Sequence, residues 1–297
     1  MAEVNKHIAT VYEALQQSIF ADNTIVTFTS DHGELLGAHG GLHQKWYSAY
    51  QEVLHVPFII SNPYLFKQPQ QLDITTSHVD LLPTLLGLAD IDVEAVRTKL
   101  TENHSEAQPL VDRDLSKVIL GEEEAKEEPI YFMTNDNIEV GADMTNLISG
   151  VAYNVVIQPN YVEAIITKLP HISADTRWKY VRYFDNTRYF SGEGLLAAAT
   201  GSQNNVDNLV GAGNPDQVTN SRFIPSEYEC YNLSDDPEEK HNLLSPTCGT
   251  LLDKTILLAL KDILREERRL KRQLPKTINN QPSDGEIDTS NDVPIRA

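Results

Sequence analysis

Asp31 and His32 stand side by side where the apolar, β-branched run "TIVTFTS" ends. A polar, glycine-rich stretch follows, carrying Gly33, Glu34, Gly37, His39, Gly40, Gly41, His43 and Lys45. A carboxylate and an imidazole offer a divalent cation two different ligands. Calcium prefers oxygen, so the imidazole by itself tilts the choice to manganese or zinc. Gly33 and Gly37, then Gly40 and Gly41, relax the backbone beside the pair. His39, His43 and Lys45 are three groups able to donate to an anionic oxygen. Singly, each residue has an ordinary reading. An Asp–His pair is more often a hydrogen-bonded turn than a metal site, Glu34 is a solvated loop residue or a supporting partner behind the site, and Lys45 is an exposed charge. The joint pattern is harder to set aside, because one apolar run delivers the pair into a loop that gathers further cationic groups.

Several elements must position this loop. Val4, Ile8, Val11, Leu15 and Ile19 recur at intervals of three or four, which predicts an amphipathic helix over residues 4–20. "TIVTFTS" and "HVPFIIS" read as buried strands of an α/β sheet, in which functional loops sit beyond the strand ends. "SHVDLLPTLLGLADI" predicts a helix with Ser77 as N-cap, Gly87 near its end, and a kink or break at Pro83. From about residue 110 the texture changes. "SKVILGE", "EPIYFMT", "WKYVRYF" and "EYECYNL" are short strand candidates, while "VEAIITKL" fits helix or strand equally. "TLLDKTILLALKDILREERRLKRQL" closes the fold as a helix with its basic residues near the C-terminal end. These readings divide the chain into an α/β part over 1–110, an antiparallel part over 111–274 with a polar insertion at 191–222, and a disordered tail at 275–297.

The bulk numbers narrow the function. A chain of 297 residues with 43 acids against 24 bases carries a net charge of −19. Such a chain repels phosphate backbones, so no nucleic-acid partner is expected. No segment approaches the ~20 apolar residues of a membrane span, and the first residues do not form a signal peptide. Cytoplasmic is the default expectation. Cys230 and Cys248 match neither a zinc spacing nor a disulfide framework.

"TIVTFTSDHGELLGAHG", then Lys45 and "YSAYQEVLHVPFIIS", resembles the second metal-binding block of the sulfatases, in the alkaline phosphatase superfamily. "NKHIATVYEAL" and "SHVDLLPTLLGLADI" are similar to the elements flanking that block. "WKYVRYF" and "YECYNLSDDPEEKHNLL" resemble the family's small C-terminal antiparallel subdomain. The likeness runs from residue 4 to about 273, the insertion excluded. It implies an α/β fold: the C-terminal part of an alkaline-phosphatase-like sheet-and-helix domain, plus an antiparallel-sheet subdomain with a closing helix. It also implies metal-dependent hydrolysis of a sulfate ester or related anionic small molecule, with calcium as the family's metal. Carried over, Asp31 and His32 are metal ligands, and Lys45 contacts the sulfate oxygens and supports the leaving group. The family lysine comes one residue sooner, where this chain has Gln44, so His43 is a competing catalytic and sulfate contact. His39 belongs to the substrate-binding rim.

The family's nucleophile is a formylglycine made within a Cys/Ser-x-Pro/Ala-x-Arg motif, and neither cysteine here lies in one. The strand that supplies the family's first pair of metal carboxylates has no counterpart either. The resemblance therefore implies a sulfatase C-terminal portion that is inactive by itself and requires a missing N-terminal half, with a homo-oligomer as the other possible partner. A parallel sheet that has lost strands would expose an edge and an apolar face. The alternatives are a phosphonate or phosphodiester hydrolase of the same superfamily, and a non-catalytic binding partner that keeps the fold.

Overall fold

A computed structural model describes residues 2–45, 48–104, 107–135, 159, 161–184 and 226–271. The insertion at 191–222 and the tail at 275–297 lie outside the described residues. The chain forms two compact units that interleave in sequence. One holds residues 1–34, 52–74 and 79–126; the other holds 35–51, 75–78 and 127–297.

The first unit opens with helix α1 (Ala2–Gln16), a helix as the periodicity predicts but ending before Ile19. Its apolar stripe is uncovered, with Val4 58% and Val11 72% exposed. Strand β1 (Val26–Thr29) pairs with β2 (Phe58–Ser61), and the pairing is antiparallel, with Val26 opposite Ser61 and Thr29 opposite Phe58. This corrects the expectation of buried strands in a parallel sheet. Two strands alone make a ribbon one layer thick, and the cross-strand pair Phe28 and Ile59 stands exposed on it. Asn62 ties the ribbon's end, donating to the Thr24 carbonyl at 3.0 Å and accepting from the Tyr64 and Leu65 amides at 2.8 Å.

Helix α2 (Leu81–Leu88) starts later than expected, after a 3-10 turn at His78–Asp80. Asp80, not Ser77, is the residue that precedes it. Pro83 falls in the first turn, where a missing N–H breaks no helical bond, so it produces neither kink nor break. Gly87 sits in the last turn because a Cβ there would lie 2.3 Å from the Asp114 carboxylate and 2.5 Å from the Ser116 hydroxyl. Asp80 is fully buried and takes the Arg113 side chain bidentately, Nη2 at 2.7 Å and Nε at 3.2 Å. Helix α3 (Val93–Thr101) follows, capped by Asp92 on the Ala95 amide at 2.9 Å. "SKVILGE" is a single helical turn, Ser116–Ile119, rather than a strand. Asp114 accepts from the Ser116 amide at its start, and Gly121, at φ +76°, ends it.

The second unit is a four-stranded antiparallel sheet in the order β3–β4–β5–β6, built from Ile130–Asn135, Tyr161–Leu169, Ser173–Phe184 and Glu227–Asn232. "VEAIITKL" resolves as strand β4, and its near-continuous burial explains why no alternation marks it. Helix α4 (Lys254–Leu270) lays Leu257, Leu260 and Leu264 on Tyr131, Ile165, Trp178, Tyr180 and Cys230. Asp253 caps it through the Thr255 amide at 2.6 Å. Glu163, in the middle of β4, gathers Arg182 from β5, Arg268 from α4 and the Tyr131 hydroxyl, the last at 3.0 Å. That cluster keys helix to sheet through one carboxylate shared by two guanidinium groups.

Candidate active site

Asp31 follows directly on β1 and the residue Ser30, whose hydroxyl donates to the His32 carbonyl at 2.7 Å and fixes the turn. Adjacent residues on a strand point to opposite faces, but the turn folds this pair together. His32 Nε2 lies 3.6 Å from Asp31 Oδ2, and the His32 amide donates to Asp31 Oδ1 at 3.0 Å. That amide bond and the neighbouring imidazole hold the Asp31 carboxyl below its usual range, so it stays ionised. His32 Nδ1 is 2.7 Å from the Gly33 carbonyl. A bond there requires the proton on Nδ1, so it is Nε2 that faces the carboxylate.

Gly33 does not take a left-handed conformation, contrary to the relaxing role expected of it. What it supplies is space. Its amide donates to the Val53 carbonyl at 2.7 Å, and a Cβ would lie 1.8 Å from the Glu52 carbonyl oxygen. The chain leaving the Asp–His turn is thus pinned to the segment before β2, within the same unit.

The 3.6 Å separation of Asp31 Oδ2 and His32 Nε2 is compatible with two donors to one divalent cation. With metal–ligand distances of about 2.0–2.6 Å, neighbouring donors in a coordination sphere stand about 3–3.6 Å apart. A histidine ligand also commonly gives its second N–H to a backbone carbonyl, as His32 does. Asp31 is well exposed and His32 half-buried, so the pair is open to solvent.

His39, His43 and Lys45 belong to the second unit, with the loop from Leu35 onward. Between Leu36 and Gln44, positive φ occurs at Leu36, Gly37, His39, Gly40, Gly41 and Gln44. Three of those are not glycine, and each left-handed non-glycine residue costs of order 1–3 kcal/mol, a strain typical of functional loops. The loop closes on itself: the Leu35 amide donates to the Gln44 carbonyl at 3.0 Å, and the Gly37 amide to the Leu42 carbonyl at 2.7 Å. Leu35 is the buried plug at its base, 2% exposed. His39 stacks flat on Tyr50, ring centroids 3.6 Å apart. A ligating atom of His39 also lies within 4.8 Å of one on Glu239. His43 and Lys45 are exposed at the end of the loop.

The sequence reading missed Lys179 and Glu239, both fully buried in the second unit and ion-paired with one another. Cys230 is also fully buried, and burial pushes its thiol up to about 12, which suits a packing residue and not a nucleophile. Neither cysteine is in a disulfide.

Residues 1–91 match the family model described as Sulfatase. An uncharacterised sulfatase, YidJ, of Escherichia coli (strain K12) is 45% identical over 71 residues, which is 24% of this chain and 14% of that protein. A Delta 4,5-hexuronate-2-O-sulfatase of Bacteroides thetaiotaomicron is 36% identical over 100 residues, 33% of this chain and 21% of that one. The structure of BT4656 with its substrate D-glucosamine-2-N,6-O-disulfate has the same fold, with a TM-score of 0.52 at 19% identity, over 95% of this chain and 40% of that one. The chain therefore matches well under half the length of these relatives. Its fold is the mixed helix-and-sheet arrangement of sulfatase structures, and residues 1–91 carry the sulfatase likeness in sequence. Among the described residues, no helix is long and apolar enough to cross a membrane.

Proposed function

We propose that this chain carries the metal-and-sulfate portion of a sulfate-ester hydrolase site. The observation that supports it best is the disposition of His32: Nδ1 is engaged by the Gly33 carbonyl, and Nε2 stands 3.6 Å from an ionised Asp31. Asp31 and His32 would hold a divalent cation, calcium by the family likeness and manganese or zinc by the imidazole. When bound, the cation supplies Lewis-acid polarisation of the ester. Lys45 and His43 would donate to sulfate oxygens, with Lys45 supporting the leaving group and His39 at the rim. The substrate class is a sulfated small molecule or sugar, as the names of the hexuronate sulfatase and of the BT4656 complex suggest for those proteins.

Two ligands are too few for a hard cation, which takes six to eight oxygens. Asp31 and His32 by themselves would therefore leave a calcium coordination sphere incomplete. The chain offers no Cys/Ser-x-Pro/Ala-x-Arg motif, so no step through a formylglycine is assigned to its own residues.

The test is an aryl sulfate assay. The purified chain alone should show no turnover. Combined with a sulfatase N-terminal segment that bears formylglycine and the first carboxylates, it should turn over, and Asp31→Ala or His32→Ala should abolish this. Turnover by the chain alone that Asp31→Ala removes would overturn the division of labour. A preference for phosphonate or phosphodiester over sulfate in the combined enzyme would replace the substrate class.

A further inference from the structure

We propose that Lys179 and Glu239 are positioning residues for the loop Leu35–Tyr50, setting where His43 and Lys45 are presented. The importance of those two side chains rests on the sulfate-ester reading above; the clamp itself rests on geometry within the second unit.

Lys179 lies in the middle of β5 and its side chain is completely buried. Its ammonium donates to the Ala49 carbonyl and pairs with the Glu239 carboxylate. The other carboxylate oxygen, Oε2, accepts from the Gln51 amide at 2.6 Å. A cation therefore meets a backbone carbonyl, and an anion meets a backbone N–H two residues on. Ser48 and Ala49 are themselves buried, 7% and 1% exposed, so their segment needs partners for its backbone groups. The contacts reach 130 and 188 residues along the chain.

Glu239 is held in place for this task. It adopts a left-handed φ of +53°, uncommon for a non-glycine residue. The following amides of Lys240 and His241 donate to the Asp236 carboxylate at 3.0 and 2.8 Å. Asn242 then locks the segment to β6, accepting from the Cys230 amide at 3.0 Å and donating to the Tyr228 carbonyl at 3.2 Å. The Asp-Pro-Glu-Glu segment is thus a rigid bracket that aims one carboxylate at the loop's exit.

The loop has two anchors. Its base is closed by the Leu35–Gln44 bond and the buried Leu35 side chain; its exit is gripped at Ala49 and Gln51. His43 is in the closed part, and Lys45 is in the short span between the anchors. An apolar pair could fill the same space at similar stability. It could not dictate which backbone atoms the loop places against the sheet.

The test uses the full chain with Glu239→Gln, which keeps shape and loses charge, and Lys179→Met, with Lys179→Arg as the conservative replacement. Amide hydrogen exchange should accelerate about tenfold or more at Ala49–Gln51 and across Leu35–Lys45, while β4 stays within about twofold of the native chain. Lys179→Arg should recover part of the protection. Titration with inorganic sulfate should show affinity falling in Glu239→Gln about as far as in Lys45→Ala. Unchanged exchange at Ala49–Gln51, or an equal loss throughout β4 and β5, would overturn the proposal. If the native chain binds no sulfate while the exchange result holds, the clamp stands and the sulfate-ester reading of Lys45 fails.

Discussion

The two units of this chain differ in how they cover carbon, although both bury paired charge. In the C-terminal unit, four strands and one helix close over a core in which Ile165, Val181 and Leu260 are fully buried. Glu163, Lys179 and Arg182 are buried with them, each answered by a partner. In the N-terminal unit, a two-stranded ribbon leaves Phe28 and Ile59 exposed, and α1 shows Val4 and Val11 to solvent. The first unit has the elements of a sheet-and-helix layer without a layer to cover them. The difference shows that amphipathic periodicity specifies a helix and a face, while burial of that face depends on a partner element.

The comparison breaks most sharply at Glu163. Removing its carboxylate by Glu163→Ala leaves Arg182 and Arg268 facing one another and strands the Tyr131 hydroxyl. Breaking one side of a buried charge cluster costs about 3–5 kcal/mol, enough to unfold a marginal domain. Chemical denaturation followed by tryptophan fluorescence reads this, because Trp178 lies in the same core. A loss below about 1 kcal/mol would mean that the C-terminal unit does not depend on its ion cluster.

Much of this contrast was legible in the sequence, and the illegible parts have physical causes. The strands "EPIYFMT", "WKYVRYF" and "EYECYNL", the closing helix and the Asp–His turn all fall where pattern and turn chemistry put them. The direction of β1 against β2 was not legible, because a short β-branched run has the same texture in either pairing. "SKVILGE" misled because four apolar-rich residues fit one helical turn as well as a strand, and the deciding groups, Asp114 and Gly121, flank the run. Gly33 carried a glycine signal but not its reason: the clash that forbids a side chain comes from Glu52, 19 positions along. Lys179 gave no signal at all, since one lysine in an aromatic strand reads as its solvent face. Its partner Glu239 lies in the segment that carries the family likeness, and only the fold brings the two together.

A smaller effect tests how the C-terminal unit tolerates charge without a full counter-ion. Glu229 on β6 accepts from the Tyr183 hydroxyl at 3.1 Å, and burial raises its carboxyl above the ordinary 4.5. The folded state therefore binds the proton more tightly than the unfolded state does. Stability falls as pH rises from the unfolded value toward the raised folded value, then levels off. Glu229→Gln should remove that slope, and leave the variant the more stable of the two above the window. Urea midpoints taken from pH 4.5 upward check it. A native chain whose stability rises across the same window, with Glu229→Gln unchanged, would show that Glu229 is not the group in control.

The smallest expected effect falls on the open face of the first unit. Ile59 is 56% exposed and stands opposite Phe28, so Ile59→Ser removes little that folding had buried. A surface change of this kind lies within about 0.5 kcal/mol, and the melting transition should barely move. Self-association should respond far more, because an exposed ribbon edge with apolar side chains is a template for pairing. Sedimentation velocity on the native chain and on Ile59→Ser separates the two quantities. A loss of stability with no change in association would mean that Ile59 packs into the unit's own core. A native chain that stays monomeric at high concentration would mean that exposed apolar area is not what distinguishes the first unit from the second.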